Sequence, residues 1–135
     1  MAIVYDKEKG LISLHSRNTS YQMGIGPYGH LLHYYYGKRG EGDFSYLFQY
    51  KDRGFSGNPY DANADRTYSM DTLAQEYSSF GNGDYRIPAC SISGSDGEGI
   101  LDLRVDRVEI FSGREEFLGL PHAKAVEECE TLRIF

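Results

Sequence analysis

The sequence predicts an all-β fold of antiparallel strands with a long irregular segment in its middle. Its composition supports this prediction in two ways, because 12 Tyr and 7 Phe favour strands and 16 Gly favour tight turns. In addition, short apolar runs bounded by turn residues recur near both ends of the 135-residue chain. This length fits one domain or part of a larger one.

The first 36 residues predict four strands in succession. A β-hairpin opens the chain, with strands at 3–5 and 11–15 and Gly10 suited to a positive φ in the turn. Alternating apolar residues predict a half-buried strand over 21–25. The run 30–36 carries large side chains on both faces, which predicts a central strand with neighbours above and below it.

Later elements are predicted from shorter patterns. They are a strand over 45–50, a short helix over 72–77 with Thr72 and Gln75 at its start, a turn over 81–83, a strand over 87–92, a turn over 94–99, a long strand over 101–110 bent by a β-bulge at 106–107, and a final strand over 131–135. Because the chain stops at an apolar strand, we expect that it has lost its continuation.

The charge balance excludes two classes of partner. Lys and Arg number 14 and Asp and Glu number 20, which gives a net charge of −6. Binding to nucleic acid or to an anionic membrane requires cations on the protein surface, so neither partner is expected. The N-terminus has no apolar run typical of a signal peptide, and 2 Cys are too few for a disulfide framework. We therefore expect a cytoplasmic protein.

The residues that could carry chemistry have structural alternatives. His30 and His33 are three apart, which places them on opposite faces of a strand, so no shared metal ion is expected. Cys90 has the pattern of a small buried residue in a strand. Seven acidic residues crowd the middle of the chain, where they could form turns and caps or supply paired carboxylates for glycoside chemistry: Asp43, Asp52, Asp61, Asp65, Asp71, Glu76 and Asp84.

The stretch 51–86 is too long and too aromatic for an ordinary linker. Its aromatic rings, carboxylates and guanidinium groups suit the binding of sugars, whose C–H faces stack on rings and whose hydroxyls bond to Asp and Arg. The alternative is an Ω-like loop that packs on its own sheet. The residues alone leave both interpretations open.

Six segments resemble the N-terminal β-sandwich region of glycoside hydrolase family 36 α-galactosidases. They are NTSY at 18–21, LLHYYYGK at 31–38, DRGFSGNP at 52–59, DRTYSMDTLAQEY at 65–77, GNGDYRIPA at 81–89 and TLRI at 131–134. The resemblance implies an antiparallel β-sandwich that is the first part of a larger sandwich. It further implies that residues 1–135 are the N-terminal region of a retaining α-galactosidase, truncated before its catalytic (β/α)8 barrel.

The resemblance also implies a role for one motif. The Asp of the family's Asp-Arg-x-Phe-Ser motif contacts galactose at the mouth of the barrel, and in this sequence it is Asp52. Arg53 and Phe55 are weaker candidates for the same rim. Gly57 stands where relatives commonly have Pro, which implies a looser loop. The alternative role for Asp52 is an ion pair with an Arg of the barrel.

The expected partners follow from the same resemblance. They are the catalytic barrel of the same polypeptide, an α-galactoside such as melibiose or raffinose, and further copies of the chain in a homo-oligomer. Both reacting carboxylates belong to the barrel, so no catalytic residue, cofactor or metal is expected in this segment, and the segment alone is expected to be inactive. The alternative function is a free-standing, lectin-like module that binds galactose.

Overall fold

The computed structural model describes residues 2–52, 54, 57–121 and 128–135. Within these ranges the chain forms six strands and two short 3-10 turns and contains no α-helix. The strands are β1 (Ala2–Asp6), β2 (Leu11–His15), β3 (Thr19–Ile25), β4 (Leu31–Lys38), β5 (Val108–Ser112) and β6 (Glu130–Ile134), and the 3-10 turns are Ser45–Leu47 and Tyr60–Ala62. No helix in the described ranges has the length and apolar character needed to cross a membrane.

The first sheet is an antiparallel meander in the order β1-β2-β3-β4. Asp6 pairs with Leu11, and Gly10 in the hairpin turn has φ +63°, as the sequence predicted. A β-bulge at Gln22 and Met23 shifts the register between β3 and β4. The four predicted strands are therefore confirmed.

The second sheet consists of β5 and β6 in antiparallel pairing, with Val108 opposite Ile134. It meets the first sheet at β1, where the backbone N–H of Ile3 donates to the carboxylate of Glu130 over 2.7 Å. The two antiparallel sheets form a β-sandwich. The all-β fold class and the final strand are thus confirmed.

The prediction that the run 30–36 forms a central strand is wrong. In the described sheet β4 is the edge strand, and its side chain Tyr36 is 69% exposed. Irregular chain lies along the other edge of β4, where the N–H of His33 donates to Ala74 and the N–H of Glu76 donates to Leu31. The bulky residues of β4 are covered by this irregular segment rather than by further strands.

Four shorter predictions are also wrong. Ser45–Leu47 form a 3-10 turn and 48–50 are irregular, 87–92 are irregular, the predicted strand over 101–110 is irregular as far as 107 and extended only from Val108, and 72–77 form no helix. The apolar alternation at 87–105 fails to give strands because its backbone makes isolated bonds to irregular chain, such as Ala89 to Ser78 and Val105 to Gly29. No helix begins at Thr72 because the Gln75 side chain donates to Asp84 instead of capping. The Asn-Gly turn at 81–84 and the turn at 94–97 are confirmed.

The core forms where the irregular middle segment packs on β4. Its buried members are Leu32 of β4 and four residues of that segment, with three aromatic side chains packed around them: Ala62, Tyr68, Met70 and Leu73, then Tyr28, Tyr34 and Phe48. The segment is therefore a loop that packs on its own sheet, which is the Ω-like interpretation of its sequence. This packing fixes the direction in which its exposed residues face.

Candidate functional site

Asp52 and Arg66 form an exposed ion pair, which together with Gly54 we call the binding tip. Oδ1 of Asp52 accepts the N–H of Gly54 over 2.7 Å and lies 3.2 Å from a guanidinium nitrogen of Arg66. Both side chains are about half exposed, at 52% for Asp52 and 60% for Arg66. Oδ2 of Asp52 accepts no hydrogen bond from the described residues. Among the described residues, the tip thus presents one carboxylate oxygen that accepts no hydrogen bond, beside the guanidinium group of Arg66.

Two of the three predicted site residues, Arg53 and Phe55, lie outside the described residues. Sequence analysis gave Arg66 no role, although it belongs to the second Asp-Arg pair of the resembling segments. Arg66 and Asp52 come together only because the chain folds back between them, and no local spacing could have indicated that contact.

Side-chain bonds to the backbone support the tip from below. The amide of Asn58 donates to the carbonyls of Asn63 and Asp65, directly before Arg66. The carboxylate of Asp65 accepts the side-chain O–H and the N–H of Thr67, and these bonds lower the pKa of Asp65. The loop is therefore shaped by its own polar side chains.

Gly57 belongs to the same support. Its carbonyl accepts the side-chain O–H of Ser69 and the N–H of Met70. The resemblance implied a loose loop at this position, and the structure instead shows a backbone bonded to a buried segment, because Ser69 and Met70 are both buried.

A buried carboxylate, Asp84, anchors the neighbouring turn. It is 1% exposed and accepts hydrogen bonds from the Gln75 amide and from the guanidinium of Arg86 at 2.7 and 2.9 Å. Burial opposes its ionisation, but the bonds from Arg86 and Gln75 outweigh burial and lower the pKa of Asp84. Arg86 also donates to the carbonyl of Met70, which joins this network to the core.

A second polar chain runs through His30, which is buried. Its two ring nitrogens lie 2.9 Å from the hydroxyl of Tyr68 and 2.9 Å from the carboxylate of Asp102. Arg104 bridges Asp102 and Asp61. Burial opposes ionisation of Asp102, yet its bonds with Arg104 and His30 lower its pKa. Burial raises the pKa of Tyr68.

His33 takes part in a separate cluster. Its Nδ1 lies 2.7 Å from Glu76, whose other oxygen accepts the hydroxyl of Tyr21. The two histidines thus have different partners. Among the described residues, no group of three or more His, Cys, Asp or Glu side chains could hold a metal.

Four of the seven acidic residues of the middle segment confirm the turn interpretation, whereas Asp61, Asp71 and Glu76 bond to other side chains. Asp43, Asp52, Asp65 and Asp84 each accept the backbone N–H of the residue two positions later. The prediction that Cys90 is buried in a strand is wrong, since it is a half-buried free thiol in irregular chain.

A large cleft lies elsewhere on the described part of the chain. It has a volume of about 1000 Å³ between the ends of the two sheets and is bordered by His15 and by charged residues of both signs, including Arg17, Arg39, Glu128 and Glu130. A smaller apolar groove of about 350 Å³ runs between Leu31, Leu103 and Phe135. Neither contains a predicted site residue.

Comparison with known proteins supplies the family. The family model described as the glycosyl hydrolase family 36 N-terminal domain matches residues 29–135. In sequence, the chain is 47% identical over 135 residues to the bifunctional alpha-galactosidase/sucrose kinase AgaSK of Mediterraneibacter gnavus, covering 99% of this chain and 14% of AgaSK.

Two solved structures agree with this match. The galactosidase domain of AgaSK has a TM-score of 0.92 at 47% identity and matches 98% of this chain and 19% of its own. A variant of the family 36 alpha-galactosidase AgaA from Geobacillus stearothermophilus, in complex with raffinose, has a TM-score of 0.82 at 37% identity and matches 92% of this chain and 17% of its own.

The fold and these matches define an N-terminal β-sandwich domain of a glycoside hydrolase. The chain belongs to the glycosyl hydrolase family 36 N-terminal domain family. It spans less than one fifth of the length of the relatives it matches.

The buried network of Asp84 makes a pH-dependent contribution to stability. Because its pKa is lower in the folded state than the ordinary 3.8, this contribution is complete above that value and is lost as the pH falls through the folded pKa. We expect Asp84→Asn to lower the free energy of unfolding by roughly 2 kcal/mol at neutral pH.

Below about pH 4 the free energies of unfolding of the wild type and of Asp84→Asn should become more similar. Urea denaturation of both purified proteins across the pH range measures this change. The exposed Asp96→Asn serves as the control, with an expected change within about 0.5 kcal/mol. If the free energy of unfolding of Asp84→Asn stayed below that of the wild type by the same amount down to pH 3, the stabilising role of ionised Asp84 would be contradicted.

Proposed function

We propose that residues 1–135 form the N-terminal β-sandwich region of an α-galactosidase whose catalytic (β/α)8 barrel lies in the same polypeptide. The region contributes residues to the rim of the active site, and both reacting carboxylates come from the barrel. Support comes from the family match and from relatives named as alpha-galactosidases, one of them solved with raffinose. The binding tip is the observation on which the assignment to the rim depends.

The tip has the chemistry of a sugar-contact site. Oδ1 of Asp52 is committed to Gly54 and Arg66, so the carboxylate is held in one orientation. Oδ2 is free to accept a galactose hydroxyl, and the remaining N–H groups of Arg66 can donate to a second one. Arg53 and Phe55 flank Asp52 in sequence and complete the proposed rim.

A direct sugar contact is favoured over an ion pair at the domain interface. Asp52 already has a cationic partner, Arg66, within its own domain. A second Arg from the barrel would be needed only if this first pair were absent or broken. We therefore assign Oδ2 of Asp52 to the binding of a neutral sugar hydroxyl.

The activity is tested by comparing two proteins. The full-length polypeptide should release galactose from melibiose and raffinose, whereas the 135-residue chain alone should release none, because a retaining glycosidase requires two carboxylates that the barrel supplies. Release by the isolated chain would contradict the proposal. Saturable binding of galactose to the isolated chain in calorimetry would instead support the lectin-like alternative.

Asp52 is tested by substitution in the full-length enzyme. We expect Asp52→Asn to lower kcat/KM for an α-galactoside by about 10- to 100-fold, because a charged hydrogen-bond acceptor becomes neutral. The melting temperature should not change, because exposed ion pairs add little to stability.

The matched control for this substitution is Asp106→Asn. Asp106 is also an exposed carboxylate paired with an Arg at 3.2 Å. Its kcat/KM should equal that of the wild type. Equal kcat/KM for Asp52→Asn and the wild type would assign Asp52 to the domain interface.

We further propose that this region self-associates. Large apolar side chains are exposed on it, including Ile87 at 94%, Leu118 at 99% and Leu120 at 61%. Such surfaces favour association. Light scattering of the 135-residue chain should show a dimer or a larger oligomer at micromolar concentration, and a monodisperse monomer would contradict this.

A further inference from the structure

Two glycines from different parts of the irregular segment touch through their backbones. A Cβ added at Gly57 would lie 2.7 Å from Cα of Gly83, and one added at Gly83 would lie 2.6 Å from Cα of Gly57. Real Cβ atoms do not approach so closely, so only glycine fits on either side. We call this contact the glycine crossing.

One side of the crossing is anchored by the buried carboxylate. Gly83 has φ +89° in the turn between Gly81 and Asp84, whose backbones exchange hydrogen bonds. Asp84 closes that turn and is fixed by Gln75 and Arg86. The position of Gly83 is therefore set by the network around Asp84.

The other side of the crossing leads to the binding tip. The carbonyl of Gly57 accepts bonds from Ser69 and Met70, and the next residue, Asn58, donates to the carbonyl of Asp65. Arg66 follows directly and contacts Asp52. A continuous path of contacts thus joins the crossing to the carboxylate at the tip.

We propose that the glycine crossing positions Asp52 for the substrate, with Arg66 as the last link. This inference rests on the proposed function, since it assumes that Asp52 binds the galactoside. Gly57 and Gly83 are positioning residues, whereas Arg66, the last link, also belongs to the proposed sugar contact. The crossing explains why the segment GNGDYR carries a glycine at 83 and a carboxylate at 84 although it contributes no side chain to the tip.

The inference is tested in the full-length enzyme with Gly83→Ala and the control Gly97→Ala. Both glycines have a positive φ, +89° and +82°, but a Cβ at Gly97 would have no atom within 4 Å. The two variants therefore share the backbone strain and differ in the crossing. Gly83→Ala should raise KM for an α-galactoside about tenfold, because a small displacement of a binding group has a large effect, and Gly97→Ala should leave KM unchanged.

Separate values of KM and kcat distinguish positioning from a loss of folded protein. Partial unfolding lowers apparent kcat and leaves KM unchanged, whereas a displaced tip raises KM. The double variant gives a second test, because Gly83→Ala should raise KM no further when Asp52 is already Asn. Additive effects, or equal KM for Gly83→Ala and Gly97→Ala, would overturn the inference.

Two further variants cover a failure of Gly83→Ala to fold. Gly57→Ala disturbs the same crossing from its other side and should give the same rise in KM. Arg66→Ala removes the last link at an exposed position, and Arg66→Lys should restore part of the lost affinity. If Arg66→Ala left KM unchanged, the positioning path would be overturned. If Asp52→Asn left kcat/KM unchanged, the proposed sugar contact of Asp52, on which this inference rests, would fail instead.

Discussion

The packing of the irregular segment on β4 is the constraint on which the rest of this domain depends. Four of the five residues in the buried core cluster come from that segment, and only Leu32 comes from a strand. A segment without regular hydrogen-bond ladders usually has a low local stability. Here it gains order from burial, because removing Ala62, Tyr68, Met70 and Leu73 from water favours one arrangement of the chain.

Polar groups buried with this segment narrow the arrangement further. The hydroxyl of Tyr68 would be unsatisfied in the core without His30, and His30 in turn bonds to Asp102. An unsatisfied buried polar group costs about 1–3 kcal/mol, so alternative packings of the segment are disfavoured. Apolar contacts keep the segment on β4, and the hydrogen bonds between Tyr68, His30 and Asp102 determine where on β4 it packs.

A comparison of two aspartates shows how one local motif serves two purposes. Asp52 and Asp84 each accept the backbone N–H of the residue two positions later and each pairs with an Arg. Asp84 is 1% exposed and both of its oxygens are occupied, which suits an anchor. Asp52 is 52% exposed, and one of its oxygens accepts no hydrogen bond from the described residues, which suits contact with a ligand.

Turns that depend on neighbouring residues were predictable from the sequence, whereas contacts between residues far apart in the chain were not. Gly10, the Asn82-Gly83 turn and four of the seven acidic turn residues follow from the conformational preferences of a few neighbouring residues, and the structure shows them. The pairs His30–Asp102 and Tyr21–Glu76 join residues 72 and 55 positions apart, and no periodicity reports such contacts.

The wrong strands at 45–50 and 87–92 have the same origin. Apolar alternation is compatible with a strand but forms one only where a partner strand bonds to its backbone. In 45–50 the backbone bonds among the described residues are local, from Leu47 to Phe44 and from Phe48 to Ser45. In 87–92, Ala89 bonds to irregular chain at Ser78. For the site, the resemblance alone identified Asp52 and galactose. The roles proposed for Arg66 and for the glycine crossing could be recognised only from the folded structure.

The rigidity of this loop has a physical use if it forms part of a sugar site. A carboxylate on a mobile loop must lose conformational freedom each time a ligand binds, and that loss weakens affinity. At this tip the loss has already occurred during folding, since Asp52 is bonded to Gly54 and Arg66 and the loop beneath is fixed by Asn58 and by Gly57. A β-sandwich that supplies no reacting group can therefore still strengthen substrate binding, by holding one oxygen atom where a hydroxyl of the sugar arrives.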